Sequence, residues 1–252
     1  MAEVEKPKAP PESSPQSEER EELLRAASDP SLNADQSLAL LKRSDLPSEV
    51  IEQIARNRFL LTHRKVKMAI ASHSHTPRHV SLPLIRQLYT FDLMKIVLSS
   101  GVAADVKANA EQVLVARLKT ITAGERLTMA RRASGRVAAA LLLDSDERIM
   151  RTALDNPRLA EAQVVQAVLK TGAQALVEAT SHHARWSFRR DVQVALLRTE
   201  HLSLASALSF ARGIPHSHLR EILQDSRLPM EIRSQLPHEV SGKTAAAVDA
   251  TR

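Results

Sequence analysis

One apolar pattern recurs along this chain of 252 residues, and it restricts the possible folds more than any other feature. Residues 58–77 align without gaps on residues 184–203, which lie 126 positions later, and residues 145–160 fit the same pattern between them. Ile70 falls on Leu196 in this alignment. The matched apolar positions are three and four residues apart, so in each copy they share one face of a helix. We therefore expect the chain to bury the same helix face three times.

Two weaker copies extend the series. Residues 26–41 match residues 153–169 with Pro30 on Pro157, and a divergent copy lies around residues 113–125. The copies begin near positions 22, 66, 113, 149 and 192, which gives steps of 44, 47, 36 and 43 residues. Repeats of about 40–47 residues with two helices each are typical of HEAT and armadillo arrays. Because one helix pair cannot bury both of its apolar faces, neighbouring pairs must cover them.

Two segments carry a family resemblance: LLLDSDERIMRTALDNPRLAEAQVVQAVL (141–169) and HARWSFRRDVQVALLRTEHLS (183–203). They resemble the HEAT-like, variant leucine-rich helical repeats of uncharacterised bacterial proteins, and the resemblance extends over about residues 20–238. It implies an all-α fold, an α-solenoid of HEAT-like helical pairs that form a right-handed superhelical array of about five units. It also implies a role in binding other molecules, without indicating a particular ligand.

The composition also favours helices over sheets. Aromatic residues make up only 2% of the chain, so Ala, Leu, Val, Ile and Met must fill the core, which suits closely packed helices. No alternating apolar run bounded by a hairpin turn signal occurs. Residues 1–16 are predicted to be a disordered, acidic and Pro-rich tail, residues 17–239 the helical-repeat domain, and residues 240–252 a second disordered tail.

Several functional classes are excluded by what the sequence lacks. Without cysteine there are no disulfides, thiolate metal sites or thiol nucleophiles. No run approaches the roughly 18 apolar residues that a membrane span requires, and the first residues lack the apolar core of a signal peptide. We therefore expect a cytoplasmic protein without a membrane partner.

Helix starts can be located from capping residues. Asn33 has Gln36 three residues later, and Thr122 has Glu125 in the same relation, as in a capping box. Proline loses no hydrogen bond in a first helical turn. Four prolines occupy such places: Pro47, Pro77, Pro215 and Pro229.

Charge is unevenly distributed along the chain. The net charge is +6. Residues 1–60 contain 8 Lys and Arg against 12 Asp and Glu, whereas residues 61–252 contain 27 against 17, a balance of +10. This asymmetry favours an acidic partner or a nucleic acid for the later region.

The strongest candidate for an anion site is ARRASGR (130–136). Arg131, Arg132 and Arg136 surround Ser134, and a helix is predicted to begin there and to continue through VAAALLLD. Free N–H groups at a helix start, together with guanidinium groups, can bind a phosphate or a carboxylate. The alternative, which we favour, is an ordinary turn between helices with solvated arginines.

The single tryptophan lies in HARWSFRRDVQ (183–193). Trp186 with Arg189, Arg190 and Asp191 could form a cation–π or base-stacking site for a partner. Helical-repeat DNA glycosylases of the alkylpurine type combine a solenoid with tryptophans and a catalytic Asp, but this chain has no other tryptophan. A tryptophan packed between two helical layers is the favoured interpretation.

Candidates for catalysis or metal binding are weak. His73, His75 and His79 lie close together in sequence, but no Asp, Glu or Cys stands beside them to complete a metal shell. Asp144 and Asp146 are interpreted as helix caps. No phosphate-binding loop or nucleophile elbow is present. We predict no catalytic residues, no cofactor and no metal site.

The sequence therefore predicts a non-enzymatic interaction or scaffold protein that binds a protein partner along the groove formed by successive helices. The alternative is a nucleic-acid-binding solenoid that uses the basic region after residue 60. Such a protein should present basic residues at one position in successive units. The rows Arg64, Glu147, Arg190 and Lys65, Arg148, Asp191 are not uniformly basic, which weakens the alternative.

Overall fold

The computed structural model describes residues 15–236, and all regular secondary structure in this range is helical. The prediction of an all-α fold is thereby confirmed. The predicted tails at 1–16 and 240–252 lie outside the described residues, except that residues 15 and 16 belong to the first helix. No helix between residues 15 and 236 has the length and apolar character needed to cross a membrane.

The chain divides into two compact units, of which the structure describes residues 15–113 and 114–236. We call them the amino-terminal and the carboxy-terminal unit. The helices of the amino-terminal unit are α1 (Pro15–Ser28), α2 (Ala34–Leu40), α3 (Ser48–Arg56), α4 (Arg64–Ser72), α5 (Arg78–Gln87), α6 (Thr90–Leu98) and α7 (Ala104–Arg117), which runs across the boundary. A 3-10 turn, Leu60–Thr62, precedes α4.

The carboxy-terminal unit is helical as well. Its helices are α8 (Ala123–Arg132), α9 (Gly135–Leu141), α10 (Glu147–Leu154), α11 (Glu161–Thr171), α12 (Gln174–Ser181), α13 (Arg190–Leu197), α14 (Leu204–Ala211) and α15 (His216–Gln224). A helical segment at 230–236 ends the described chain.

Within each unit, several helices pack on the helix two places further along the chain. In the amino-terminal unit α1 contacts α3, α2 contacts α4, and α4 contacts α6. In the carboxy-terminal unit α8 contacts α10 and α10 contacts α12, while α9, α11, α13 and α15 contact one another in order. In the carboxy-terminal unit the odd-numbered helices α9, α11, α13 and α15 therefore form one row, and contacts of α9 with α8 and α10 and of α13 with α12 and α14 join this row to the even-numbered helices.

The prediction of two helices in each step of 36–47 residues was wrong. Each of these steps contains three helices, since the starts near 22, 66, 113, 149 and 192 fall on or close to α1, α4, α7, α10 and α13. The helix pair has a shorter spacing: the even-numbered helices of the carboxy-terminal unit begin at residues 123, 147, 174 and 204. Even-numbered and odd-numbered helices have similar apolar faces, so the sequence alignment matched the even-numbered helices α4 and α10 with the odd-numbered helix α13.

The predicted helix starts are confirmed. Asn33 and Gln36 form a complete capping box at α2, and Thr122 and Glu125 form another at α8. Hydrogen bonds from the main-chain N–H and the hydroxyl of Thr122 hold the pKa of Glu125 below its ordinary value. Helices α3, α5 and α15 begin directly after the predicted prolines, and residue 230 follows the fourth: Pro47, Pro77, Pro215 and Pro229.

The core is aliphatic, as the low aromatic content predicted. Ile149 and Leu196 are completely or almost completely buried. We expect either Ile149→Ala or Leu196→Ala to lower the free energy of unfolding by about 2–5 kcal/mol, because a buried aliphatic side chain is lost and a cavity remains. Urea unfolding followed by Trp186 fluorescence measures this change. Leu169→Ala, on an exposed position of α11, is the control with a smaller expected loss. Unchanged midpoints for both buried variants would contradict the packing described.

Candidate partner-binding surface

Three of the turns that lead from an even-numbered to the next odd-numbered helix lie side by side in the carboxy-terminal unit. Asn156, in the turn between α10 and α11, donates from Nδ2 to the carbonyl oxygens of Ala130 (2.8 Å) and Ala133 (3.2 Å). Arg158 in the same turn donates to the carbonyl oxygen of Arg132 at 3.2 Å. This turn is therefore bonded to the preceding one, between α8 and α9.

The next turn of the same kind, between α12 and α13, repeats the arrangement. Arg185 donates to the carbonyl oxygens of Asn156 (3.4 Å) and Leu159 (3.2 Å), and the indole N–H of Trp186 donates to the carbonyl oxygen of Leu154 at 2.8 Å. The turn at 155–160 is thus hydrogen-bonded to the turn at 131–136, and the turn at 182–190 is hydrogen-bonded to the turn at 155–160. We refer to them, with residues 212–215 between α14 and α15, as the even-to-odd turns.

One side chain at the start of these turns fixes the local backbone. Oδ1 of Asn156 accepts a hydrogen bond from the main-chain N–H of Arg158 at 2.8 Å, two residues later. His183 does the same for Arg185 through Nδ1 at 3.1 Å. In the amino-terminal unit His73 accepts from the main-chain N–H of His75, also at 3.1 Å. Asparagine and histidine therefore have one structural role at equivalent turns.

The histidine cluster considered for metal binding is explained by this role. Since Nδ1 of His73 accepts a hydrogen bond, its Nε2 carries the proton that is donated to the carbonyl oxygen of Arg43 at 2.8 Å. His75 bonds to the carbonyl oxygen of Leu46 at 3.0 Å, and Nε2 of His79 lies 3.7 Å from Glu52. Between residues 15 and 236, no group of three His, Asp or Glu side chains is arranged to hold a metal ion.

The predicted anion site around Ser134 differs from expectation in one respect. Ser134 is the N-cap of α9, as predicted, but its hydroxyl makes no capping hydrogen bond. A side chain at Gly135 would overlap the carbonyl oxygen of Arg158 and approach Oε1 of Gln163 at 2.8 Å. The neighbouring turn, with its oxygen acceptors, therefore fills the space beside the start of this helix. The exposed residues Arg131, Arg132 and Arg136 remain at the surface around it.

Trp186 is a core residue. Its side chain is only 1% exposed, and the guanidinium carbon of Arg185 lies 4.1 Å from the ring centroid. The ring therefore offers no open face for a base or a partner, in agreement with the favoured interpretation. Arg189 and Arg190 are exposed, and Nη2 of Arg190 lies 3.3 Å from Nδ1 of His218.

Asp146 has the capping role predicted for it. It is the N-cap of α10 and accepts from the main-chain N–H of Arg148 at 3.0 Å. The guanidinium group of Arg148 is the main cause that lowers the pKa of the Asp146 carboxyl. The Asp146 carboxylate therefore serves as the N-cap of α10.

The even-to-odd turns of the carboxy-terminal unit carry a row of arginines. Four exposed arginines, one in each turn, recur at steps of 26, 27 and 27 residues: Arg132, Arg158, Arg185 and Arg212. We call this row the arginine stripe. The ranges 131–136, 155–160, 182–190 and 212–215 hold eight arginines and one carboxylate, Asp155, which is a balance of +7 with histidine neutral.

Sequence reasoning found five of these eight arginines and missed the row. The missing members are Arg158, Arg185 and Arg212. A search at the helix-pair spacing of about 27 residues would have found them, but positions were compared at the longer, three-helix spacing. The two predicted clusters, 131–136 and 189–190, lie on the first and third turns, with the turn of Arg158 between them.

Comparisons with known proteins return no match: no family model, no curated protein and no solved structure is significantly similar to the chain. The resemblance to HEAT-like repeats stays a prediction.

Proposed function

We propose that this protein is a non-enzymatic, HEAT-like α-solenoid that binds an acidic segment of a protein partner along the arginine stripe. The observation that carries the proposal is the recurrence of an exposed arginine in four successive even-to-odd turns. Stacked helix pairs with short connections are the architecture of interaction proteins built from repeats. Contacts between alternate helices support that architecture within each unit: α2 with α4 and α4 with α6 in the first, and α9, α11, α13 and α15 in order in the second.

Charge and chemistry support a carboxylate-rich ligand. Guanidinium groups bind carboxylates through paired N–H donors. Within the four turns, Asp155 is the one carboxylate that could compete with a ligand's carboxylates for these arginines. Two members of the stripe, Arg158 and Arg185, are held by hydrogen bonds to main-chain carbonyl groups. An ordered row loses less conformational entropy on binding than a row of unrestrained side chains.

A nucleic acid is the second candidate, and the same stripe favours it, because equally spaced basic residues can follow a phosphate backbone. The aromatic side chains favour the protein partner. Single-stranded nucleic acids are bound by stacking bases on exposed rings. In these turns Trp186 is buried, and Phe188, 81% exposed, is the one exposed Phe, Tyr or Trp ring among the described residues 182–190.

The proposal is tested with two labelled polyanions, a polyglutamate peptide and a 20-base-pair DNA duplex. The variant is the triple charge reversal Arg132→Glu, Arg189→Glu and Arg212→Glu, at exposed residues whose side chains form no ion pair within residues 15–236. We expect the peptide to bind the natural chain, and the triple variant to bind at least about tenfold more weakly. Binding should also weaken between about 50 and 200 mM salt.

The control variant has the same change in net charge at exposed positions outside the even-to-odd turns: Arg25→Glu, Arg58→Glu and Lys170→Glu. It should bind the peptide nearly as well as the natural chain. Tighter binding of the duplex than of the peptide, lost in the triple variant, would establish the nucleic-acid alternative instead. If neither polyanion binds at the lower salt concentration, both candidates are rejected.

A further inference from the structure

A groove in the amino-terminal unit forms a second candidate surface, separate from the arginine stripe. It lies along the even-numbered helices α2, α4 and α6 and has a volume of about 780 Å³. Its floor is apolar and consists of Leu38, Leu41, Met68 and Ala69. Leu41 is buried, whereas the other three are half-buried and so remain partly accessible. Nothing among the described residues covers this part of the floor.

The rim of the groove is basic. It carries three exposed lysines: Lys42 just after α2, Lys65 in α4 and Lys95 in α6. None of these lysines forms an ion pair with another residue between 15 and 236. Asp35 is the one exposed carboxylate among the lining residues. The rim therefore has an excess of positive charge that the unit itself does not neutralise.

The two remaining charged residues of the groove, Arg64 and Asp92, form an ion pair with each other. Arg64 donates two hydrogen bonds to the carboxylate of Asp92, at 2.6 and 2.7 Å, and the Asp92 side chain is only 3% exposed. These bonds raise the pKa of Arg64, and its guanidinium carbon lies 4.9 Å from the centroid of the Tyr89 ring. Arg64 therefore joins α4 to α6 through this ion pair. The three lysines are the basic groups that can contact a ligand.

We propose that this groove binds an amphipathic α-helix of a protein partner, with its apolar side chains on the floor and its Asp and Glu side chains toward the lysine rim. Helices recognised in this way present apolar residues at positions i, i+3, i+4 and i+7. The combination of an apolar floor and an unneutralised basic rim is complementary to such a helix. A phosphate backbone would gain from the rim alone and would leave the floor uncovered.

The probe for this site is a fluorescein-labelled peptide of about 18 residues, or five helical turns, with Leu at i, i+3, i+4 and i+7 and Glu at most other positions. Because the arginine stripe would also attract this peptide, binding is measured in the chain that already carries Arg132→Glu, Arg189→Glu and Arg212→Glu. Two variants are added to this background: Met68→Glu in the floor, and the triple reversal Lys42→Glu, Lys65→Glu and Lys95→Glu in the rim. Circular dichroism establishes that each variant stays folded.

We expect the peptide to bind the stripe-reversed chain in a saturable manner. The floor variant and the rim variant should each weaken binding by about tenfold or more. The control reversal of Arg25, Arg58 and Lys170 should leave the affinity within about twofold. A second peptide, with the same Leu positions but Lys in place of Glu, should bind far more weakly.

Three results would overturn the proposal: no binding of the acidic peptide to the stripe-reversed chain, equal affinity in the rim variant, or equal binding of the Lys-containing peptide. A duplex DNA that competes with the peptide at equal concentration would also overturn it and assign the groove to nucleic acid. These comparisons report on the groove, because every chain compared carries the same triple reversal and the contribution of the stripe is therefore equal in all of them. The two surfaces are thus tested independently.

Discussion

Replacing Trp186 with alanine is expected to lower the free energy of unfolding by about 3–5 kcal/mol, the cost of truncating a large buried aromatic side chain. The side chain is almost completely buried, and its indole N–H donates to the carbonyl oxygen of Leu154. The same ring supports Arg185. Its loss therefore leaves a cavity and an unpaired carbonyl group, and it removes the ring contact of Arg185, a member of the arginine stripe. Since small domains are stable by only about 5–15 kcal/mol, the carboxy-terminal unit should be close to unfolding.

The measurement is urea unfolding followed by circular dichroism, because the variant has no tryptophan fluorescence. Trp186→Phe is the matched control. It keeps most of the apolar volume and loses the N–H donor, so its loss of stability should be smaller than that of the alanine variant. Equal stability of the natural chain and of Trp186→Ala would show that the indole is not a core residue.

The second large effect is expected at Asn156. This side chain is completely buried and makes three hydrogen bonds to the main chain, two to the preceding turn and one within its own. Asn156→Ala leaves these buried groups without a partner, at about 1–3 kcal/mol each. We expect the free energy of unfolding to fall by at least about 3 kcal/mol, measured by urea unfolding with Trp186 fluorescence.

Asp29 supplies the control for this prediction. It stands before Pro30 as Asn156 stands before Pro157, and it also accepts from the main-chain N–H two residues later, at 2.7 Å. Asp29 is exposed, and its bonds are local to its own turn. Asp29→Ala should therefore change the midpoint much less. If both variants lose the same stability, the bonds between successive turns contribute nothing.

Local features of the fold could be predicted from the sequence because they depend on few residues. The capping boxes at Asn33 and Thr122 and the helix starts after Pro47 and Pro77 each need only a side chain and its near neighbours. The identity of the fold class followed from apolar spacing and from the low aromatic content. These features involve residues three or four positions apart, which are neighbours in space whenever the segment is helical.

The repeat spacing could not be predicted by matching apolar positions. Even-numbered and odd-numbered helices bury similar aliphatic faces, so α13 matches α4 although α4 leads into an even-to-odd turn and α13 leads into a turn of the other kind. The turns distinguish the two kinds of helix, but their residues differ in type: Asn156 and His183 perform the same task with different side chains. Only the hydrogen bonds between turns reveal that these positions are equivalent.

The candidate site was predictable in part for the same reason. Arg131, Arg132 and Arg136 form a dense cluster that is visible in sequence, whereas Arg158 and Arg185 stand alone among apolar and polar neighbours. Their importance comes from the register of the turns. The burial of Trp186 likewise depends on the carbonyl group of Leu154, which lies 32 residues away in sequence.

The central claim is that the even-to-odd turns form one binding edge, and mapping of amide chemical shifts tests it most directly. The full chain, labelled with ¹⁵N, is titrated with the unlabelled polyglutamate peptide at low salt. We predict that the largest shifts occur in residues 131–136, 155–160, 182–190 and 212–215, and that they saturate together with one affinity. Shifts confined to other turns, or no shifts in these four at saturating peptide, would contradict the account.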